Sequence, residues 1–517
     1  MSEKALWLPT VDKYQHLSET AIRHVAATTH INSANYPPVA GPNTYSINFS
    51  NIQTPMFKQK LWLFMLTVCI SMACNKSSNN LNLPDPNVPK PVPSPISDKQ
   101  VRSSVHGIVV DENNKPITGA TVRFGATGMV TDARETFLFT DESMNEEAAV
   151  VTVKKTGYFN GIRTFRITAP DKLQFVKIQL LPKKALGVFD AASGGTVTVS
   201  NAQFTFVAQQ VLGTDGKPYS GKVSLMYAPI NPERADFADI MPGDLRAINK
   251  NNAIMGLQSF GMMALELQSE GGEKLYLDTS KSVAFKMTIP ASLQSLAPSN
   301  VPLWHFEDSS RVWREDGSAT KTGDSYTGTL KYFSTWTPAL PFSLVNFRVA
   351  LQDANGTPLS NVFLSIKGNS GRYSGGYTNE SGIFSGHIAK GETLTLKASG
   401  RCNTAVDARN IGPFNDSTSL GVLKLSIPAA QYIHFSGTVT SCTNTPIKNG
   451  AVYINIDGVD YRYQVTDGKY AIGIIRCNAD NTTATIRAID IDTNKMSATS
   501  MSVTTTAYVK DLVACED

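Results

Sequence analysis

No stretch of this chain concentrates positive charge. Lysine and arginine number 47 against 43 acidic residues, a net charge of +4 over 517 residues. Nucleic-acid binding relies on clustered Lys and Arg that displace counterions, so that class is set aside. Charged side chains make up 17% of the chain, where soluble domains average about 25%. Histidine is also scarce. Beyond residue 100 only His106, His305, His387 and His434 occur, too scattered to suggest a metal or acid–base centre. There is no Gly-x-Ser-x-Gly, no glycine-rich phosphate loop and no cluster of carboxylates. Asp490-Ile491-Asp492-Thr493-Asn494 opens like a calcium loop, but Lys495 stands where the sharp turn needs glycine and Met501 where a bidentate glutamate belongs. His16 and Glu19 have the spacing of two zinc ligands on one helical turn, yet no catalytic domain of suitable length follows them. Neither an enzyme nor a cofactor is expected.

Long apolar runs are nearly absent. The one that stands out, Leu61 to Ile70, covers roughly half of a ~30 Å hydrocarbon core at about 1.5 Å per residue. Lys58 and Lys60 precede it, small residues lead from it to Cys74, and polar low-complexity sequence follows. This is the layout of a secretory signal. Ser71-Met72-Ala73-Cys74 resembles a permissive bacterial lipobox, which implies that Cys74 becomes the first mature residue and carries acyl chains. Asn75 rather than Asp after that cysteine implies onward sorting to the outer membrane, facing periplasm or exterior. The alternatives are an uncleaved anchor or a buried core segment. Residues 1–55 are polar and aperiodic and are read as an upstream extension, with Met56 as the true start. After residues 56–74, six prolines between Pro84 and Pro95 make 75–100 an extended tether.

With Cys69 in the signal and Cys74 acylated, Cys402, Cys442, Cys477 and Cys515 remain, all late in the chain and none in a CxxC pair. In an oxidising compartment they are expected to form two disulfides. Three pairings are open.

Beyond residue 100, short runs of Val, Ile, Thr, Phe and Tyr alternate with turn clusters, which favours β-sandwich domains. One phrase recurs as GIVVDENNKPITGATVRF from Gly107, QQVLGTDGKPYSGKVSLMY from Gln209, FRVALQDANGTPLSNVFLSI from Phe347 and SGTVTSCTNTPIKNGAVYIN from Ser436. Pro116, Pro218, Pro358 and Pro446 mark one point in each copy. Asn-Asn, Asp-Gly and Asn-Gly before three of these prolines tolerate positive φ and suit a tight reversal. Three copies add Thr131-Asp132, Thr378-Asn379 or Thr466-Asp467, followed by Phe137, Phe384 or Tyr470.

These phrases resemble the carboxypeptidase-regulatory-like family, whose members are transthyretin-like seven-stranded sandwiches. The first copy, with Lys155-Thr156-Gly157-Tyr158-Phe159 after it, is most similar; the resemblance covers about half the chain and is nearly silent on function. Residues 183–343, with MPGDLRAI, SFGMMALEL, VPLWHFEDSSRVWRED and YFSTW in order, resemble a ZU5-type domain. Some such domains cleave themselves at His-Phe-Ser. The matching tripeptide here is Tyr332-Phe333-Ser334, and tyrosine, with a pKa near 10, is a poor base, so no cleavage is expected. A His-Phe-Ser at His434–Ser436 opens the last sandwich instead.

The expected architecture is therefore all-β, tandem Ig- or transthyretin-like sandwiches at 101–182, 183–343, 344–428 and 429–517, strung out behind the signal and tether. Aromatics give the one ligand hint, since sugars stack on exposed rings beside polar groups. Tyr461, Tyr463 and Tyr470 form one candidate cluster, with Tyr461 and Tyr463 on one strand face. Tyr373 and Tyr377, in a glycine-rich loop, form the other. The bland alternative is half-buried cross-strand packing. Trp304, Phe306 and Trp313 are expected in the core of their hairpin. The functional expectation is a lipid-anchored, non-enzymatic surface module that binds a glycan or a surface protein; a structural spacer or accessory subunit is the alternative.

Overall fold

The computed structural model describes residues 95–516 apart from 132–135, 169, 171–172, 235, 401–404, 429–430, 477–479, 494 and 505. The upstream segment, the signal with Cys74, most of the tether, Cys402 and Cys477 lie outside the described residues.

Two segments have the seven strands of the expected sandwich, three in one sheet and four in the other. In the first, Gln100–Val110 lies between Thr136–Asn145, antiparallel, and Gln174–Gln179, parallel. The facing sheet runs Thr127–Val130, Thr121–Phe124, Ala149–Lys154, Gly161–Phe165. Alternation sends Val105, Val109, Val122, Phe124, Val151 and Val153 inward, as a half-buried strand requires. The third sandwich repeats this order. Leu344–Gln352 is flanked by Ile383–Ala389 and parallel Thr418–Lys424, over a sheet of Tyr373–Tyr377, Phe363–Gly368, Leu394–Ser399 and Ala405–Ile411.

The recurring proline does the same thing four times. Bridges form at Val110/Pro116, Leu212/Pro218, Gln352/Pro358 and Thr440/Pro446, with positive φ at Asn114, Gly216, Gly356 and Asn444. The next residue's N–H then donates back to the strand, Ile117 to Val109 O at 2.8 Å and Leu359 to Leu351 O at 3.0 Å. Each turn buries that apolar residue except Tyr219, which is half-buried. The second copy is a turn only. Its strand Val211–Leu212 joins a fourteen-stranded sheet spanning Ala185–Asp190 to Thr335–Phe342, so the phrase marks a turn rather than a sandwich of the 3 + 4 kind.

The last segment departs from separate sheets. Its strands form one continuous eight-stranded sheet. The reason is a two-residue reversal at Asp467-Gly468, φ 50° and 70°, which pairs Thr466 with Lys469. That hairpin keeps Val459–Thr466 and Lys469–Ile475 in one ladder. In the third sandwich the equivalent link runs through residues 379–382, and the sheets separate there.

The sandwiches are not strung out; that expectation is corrected by the packing. Val150 and Ile162 of the first share a cluster with Ile240, Met241, Trp304, Phe306 and Trp313 of the middle segment. Leu173 and Phe175 of the first pack on Ala451, Tyr453 and Ile491 of the last. Arg462 donates to the Leu173 carbonyl at 3.2 Å, and the Tyr453 hydroxyl meets the His106 ring. Gln258 of the middle segment donates to the Ser370 carbonyl of the third at 2.9 Å. Ile475 of the last is buried in the core of the third. The physical cause is visible in Asn449–Ile456, whose inner stretch is buried on both faces. A strand apolar on both sides needs a second layer over its outer face.

Candidate functional site

The two tyrosine clusters separate sharply. Tyr461 is 1% exposed, and its hydroxyl donates to the Ile475 carbonyl at 3.1 Å. Tyr470, 3% exposed, donates to Lys510 O at 2.8 Å, and burial raises its pKa. Tyr463 is half-buried against the same core, its pKa raised by burial and then by Glu380. Alternation does put Tyr461 and Tyr463 on one face, but it is the inner one. Tyr461 and Tyr470 therefore offer no ring to a ligand, and this cluster is withdrawn as a site.

Tyr373 and Tyr377 are 39% and 46% exposed. They stand not in a loop but on the edge strand Tyr373–Tyr377. Their shared outward face follows from the register. Tyr377 pairs with Phe363, Gly375 with Ser365 and Tyr373 with Lys367; these in turn pair with Ser399, Lys397 and Thr395. Leu364 and Ile366 alternate with them and fill the core. The rings of Phe363 and Tyr377 lie 5.0 Å apart, tilted by 52°. Gly375 lets the Tyr373 ring lean along the strand, because a Cβ there would sit 2.5 Å from the Tyr373 hydroxyl. Burial raises the Tyr373 pKa, against a hydrogen bond to Ser365. Phe363, Lys367 and Lys397 were not among the sequence candidates, though the alternation in FLSIKG carries the signal for the first two.

Cys442 and Cys515 are disulfide-bonded, with Cα atoms 4.8 Å apart. They follow directly on Ser441 and Ala514, which pair in the parallel ladder between Tyr432–Ser441 and Leu512–Ala514. The bond staples the final strand, whose Leu512 and Ala514 enter the core.

Other chemistry-bearing groups have structural partners. The Ser334 hydroxyl donates to the Phe306 carbonyl at 2.7 Å, while the His305 ring stands edge-on to Tyr332 at 5.0 Å. Burial holds His305 near a pKa of about 4. His106 falls to about 3 through burial, then Arg462 and Arg487. His387 falls to about 4 through burial, then Arg246 and Arg166. Glu307 is paired with Arg314 at 2.8 Å, and Asp457 with Arg476 at 2.8 Å, all four side chains mostly or wholly buried. The Asp490 carboxylate accepts the Asp492 N–H at 3.1 Å and the Thr493 hydroxyl at 2.7 Å, which fits a hairpin tip. Trp304, Phe306 and Trp313 are buried as expected, Trp304 and Trp313 at 0%. Among the described residues no group of three or more His, Cys, Asp or Glu is placed to hold a metal ion. No helix among them is long and apolar enough to cross a membrane.

No family model matches the chain. It is 25% identical over 235 residues to cartilage intermediate layer protein 2 of Mus musculus, covering 43% of this chain and 20% of that one. To the Homo sapiens protein of that name it is 24% identical over 172 residues, 33% of this chain and 14% of the other. The chain thus spans a fifth or less of the length of these curated relatives. Among solved structures, it is similar to the shaft pilin SpaA of Lactobacillus rhamnosus GG, with 12% identity, 34% and 98% coverage of this chain and that one, and a TM-score of 0.17. It is also similar to BcpA, the major pilin subunit of Bacillus cereus, with 12% identity, 63% and 100% coverage and a TM-score of 0.14. Likeness at this level concerns β-rich construction and says nothing of function.

Proposed function

We propose that this chain is a non-enzymatic, lipid-anchored surface protein of a Gram-negative outer membrane, acting as a structural or accessory subunit. Cys74 is the acylated residue, and 75–100 is the tether that carries the folded body. Residues 101–182, 344–428 and 429–517 are carboxypeptidase-regulatory-like sandwiches, and 183–343 is a ZU5-like domain that does not cleave itself. One observation supports the non-enzymatic part above all. Buried histidines, ion pairs and the Ser334 hydroxyl sit in packing or between segments, where they hold strands and sandwiches together. A body joined through shared apolar clusters suits a load-bearing or assembly role better than a long spacer.

The test is palmitate labelling with and without globomycin, followed by membrane fractionation. Label in the outer membrane fraction, lost when Cys74 is replaced, is the expected result. A single intact band on denaturing gels is expected for the body; a break at Phe333–Ser334 would refute the self-cleavage part. A second reading, a binding or adhesion module, is favoured by the exposed rings of Tyr373 and Tyr377.

A further inference from the structure

We infer that the outer face of the four-stranded sheet in the third sandwich binds an acidic polysaccharide, with its rings on sugar faces and its lysines on carboxylates. This deepens the second reading and does not depend on how the chain is anchored. Three features of the face carry it.

The first is the rings. Phe363, Tyr373 and Tyr377 share one face, and the two tyrosines stand four residues apart on one strand, about 13 Å at ~3.3 Å per residue. That length suits an oligosaccharide stretch rather than a single sugar. Rings held open to solvent, with the C–H faces of a sugar against them, bury apolar area without closing a pocket.

The second is flatness. The middle row of the face is Gly375, Ser365, Lys397 and Ala408. Three of these four are small, and larger side chains flank them at Tyr377 and Phe363 on one side and Tyr373 and Lys367 on the other. The Tyr373 ring leans over Gly375 and its hydroxyl bonds the Ser365 side chain, so the face is a low platform continuous with that ring. In the Tyr373–Lys367 row the Thr395 hydroxyl donates to Asn410 at 3.1 Å, both residues exposed, and these groups can also meet sugar hydroxyls.

The third is charge. Lys367 is exposed and Lys397 half-buried on this face, and neither forms an ion pair among the described residues. The nearby carboxylates are engaged elsewhere: Glu392 with Arg372 at 3.4 Å and Asp407 with Arg409 at 2.7 Å. Two uncompensated ammonium groups beside exposed rings select a glycan bearing carboxylates over a neutral one. They also disfavour a second copy of the chain, which would set lysine against lysine across the contact.

The probe is polygalacturonate against dextran of similar length, titrated into the full chain in detergent at low and high salt. Binding to polygalacturonate that weakens with salt is expected. Tyr377→Ala should weaken it about tenfold. Lys367→Gln with Lys397→Gln should remove the salt-dependent part, while Tyr276→Ala in the middle segment leaves it unchanged. Because the lysine changes leave rings and core in place, wild-type affinity in that variant overturns the inference. So does equal binding to dextran, no binding to either polymer, or self-association of the chain that Tyr377→Ala abolishes. Palmitate labelling of the same preparations separates the readings, since an acylated chain with no glycan affinity sinks this inference alone.

Discussion

The third and last sandwiches begin with the same strand, turn and proline, yet their tyrosines end in opposite surroundings. Tyr461 and Tyr470 lie on strands with partners on both sides, and the inner face of that hairpin is core. Tyr373 and Tyr377 lie on an edge strand, paired on one side only, with Gly375 and Gly376 between them. Ring exposure is set by position in the sheet and not by the local string of residues. The same pair shows how one latch has two versions. Buried Thr378 donates to the Leu359 carbonyl at 2.6 Å and accepts the Val362 N–H at 3.0 Å, as Thr131 does with Ile117 and Ala120 in the first sandwich. In the last, Thr466 is exposed, and the Gly468 N–H donates to Ile447 O at 2.8 Å instead.

The largest expected effect separates the last sandwich from the rest. Replacing Cys442 and Cys515 by serine reopens a loop of separation 73, a loss of about 4 kcal/mol. Denaturant unfolding followed through the last sandwich should show it, with the other segments little changed. The same bond leaves Cys402 and Cys477 as the pair for a second disulfide; non-reducing peptide mapping that finds them as free thiols would reject it.

Next comes the contrast between rings. Tyr461→Ala should cost about 3–5 kcal/mol, as for a large buried aromatic, whereas Tyr377→Ala should stay within about 1 kcal/mol. Comparable losses at the two sites would erase the distinction drawn here. The latch is a smaller lever. Thr378→Val leaves the Leu359 carbonyl and Val362 N–H without their side-chain partner, a cost of about 1–3 kcal/mol, and Thr466→Val should be near neutral.

A pH-dependent effect, gradual per pH unit, arises at the junction of the first and last sandwiches. His106 lies against Tyr453 and Phe175, near Arg462 and Arg487. Its folded pKa of about 3 lies below the unfolded value near 6.5, so the unfolded chain takes up the proton first. Stability is full above about 6.5 and falls as pH drops toward 3, by up to about 1.4 kcal/mol per unit. His106→Gln should flatten that slope in a pH series; an unchanged slope would assign the loss to His305 and His387.

Much of the fold was legible in the residues. Alternation gave the strands, and Asn114, Gly216 and Gly356 gave the turns because few other residues accept their φ. The seven-stranded plan came from the resemblance, and the first and third sandwiches have it. What could not be seen is how sandwiches lie against one another, because a strand's alternation reports its own core and not the layer outside it. The near-continuous apolar run in Asn449–Ile456 was the available clue to a second covered face. Glycines misled in the other direction, since Gly375 and Gly376 read as a loop but sit in an edge strand, where a missing side chain makes room for a ring. Of the candidate site, only the two edge tyrosines were legible; Lys397 comes from a strand paired to theirs through Phe363–Gly368, a relation that exists only in register.

The account depends most on the body being folded back on itself, first sandwich against last. Placing p-benzoyl-phenylalanine at Phe175 and irradiating tests this directly. Cross-linked peptides should come from the strand Asn449–Ile456 and the stretch around Ile489 and Ile491. Cross-links confined to the first sandwich would contradict it.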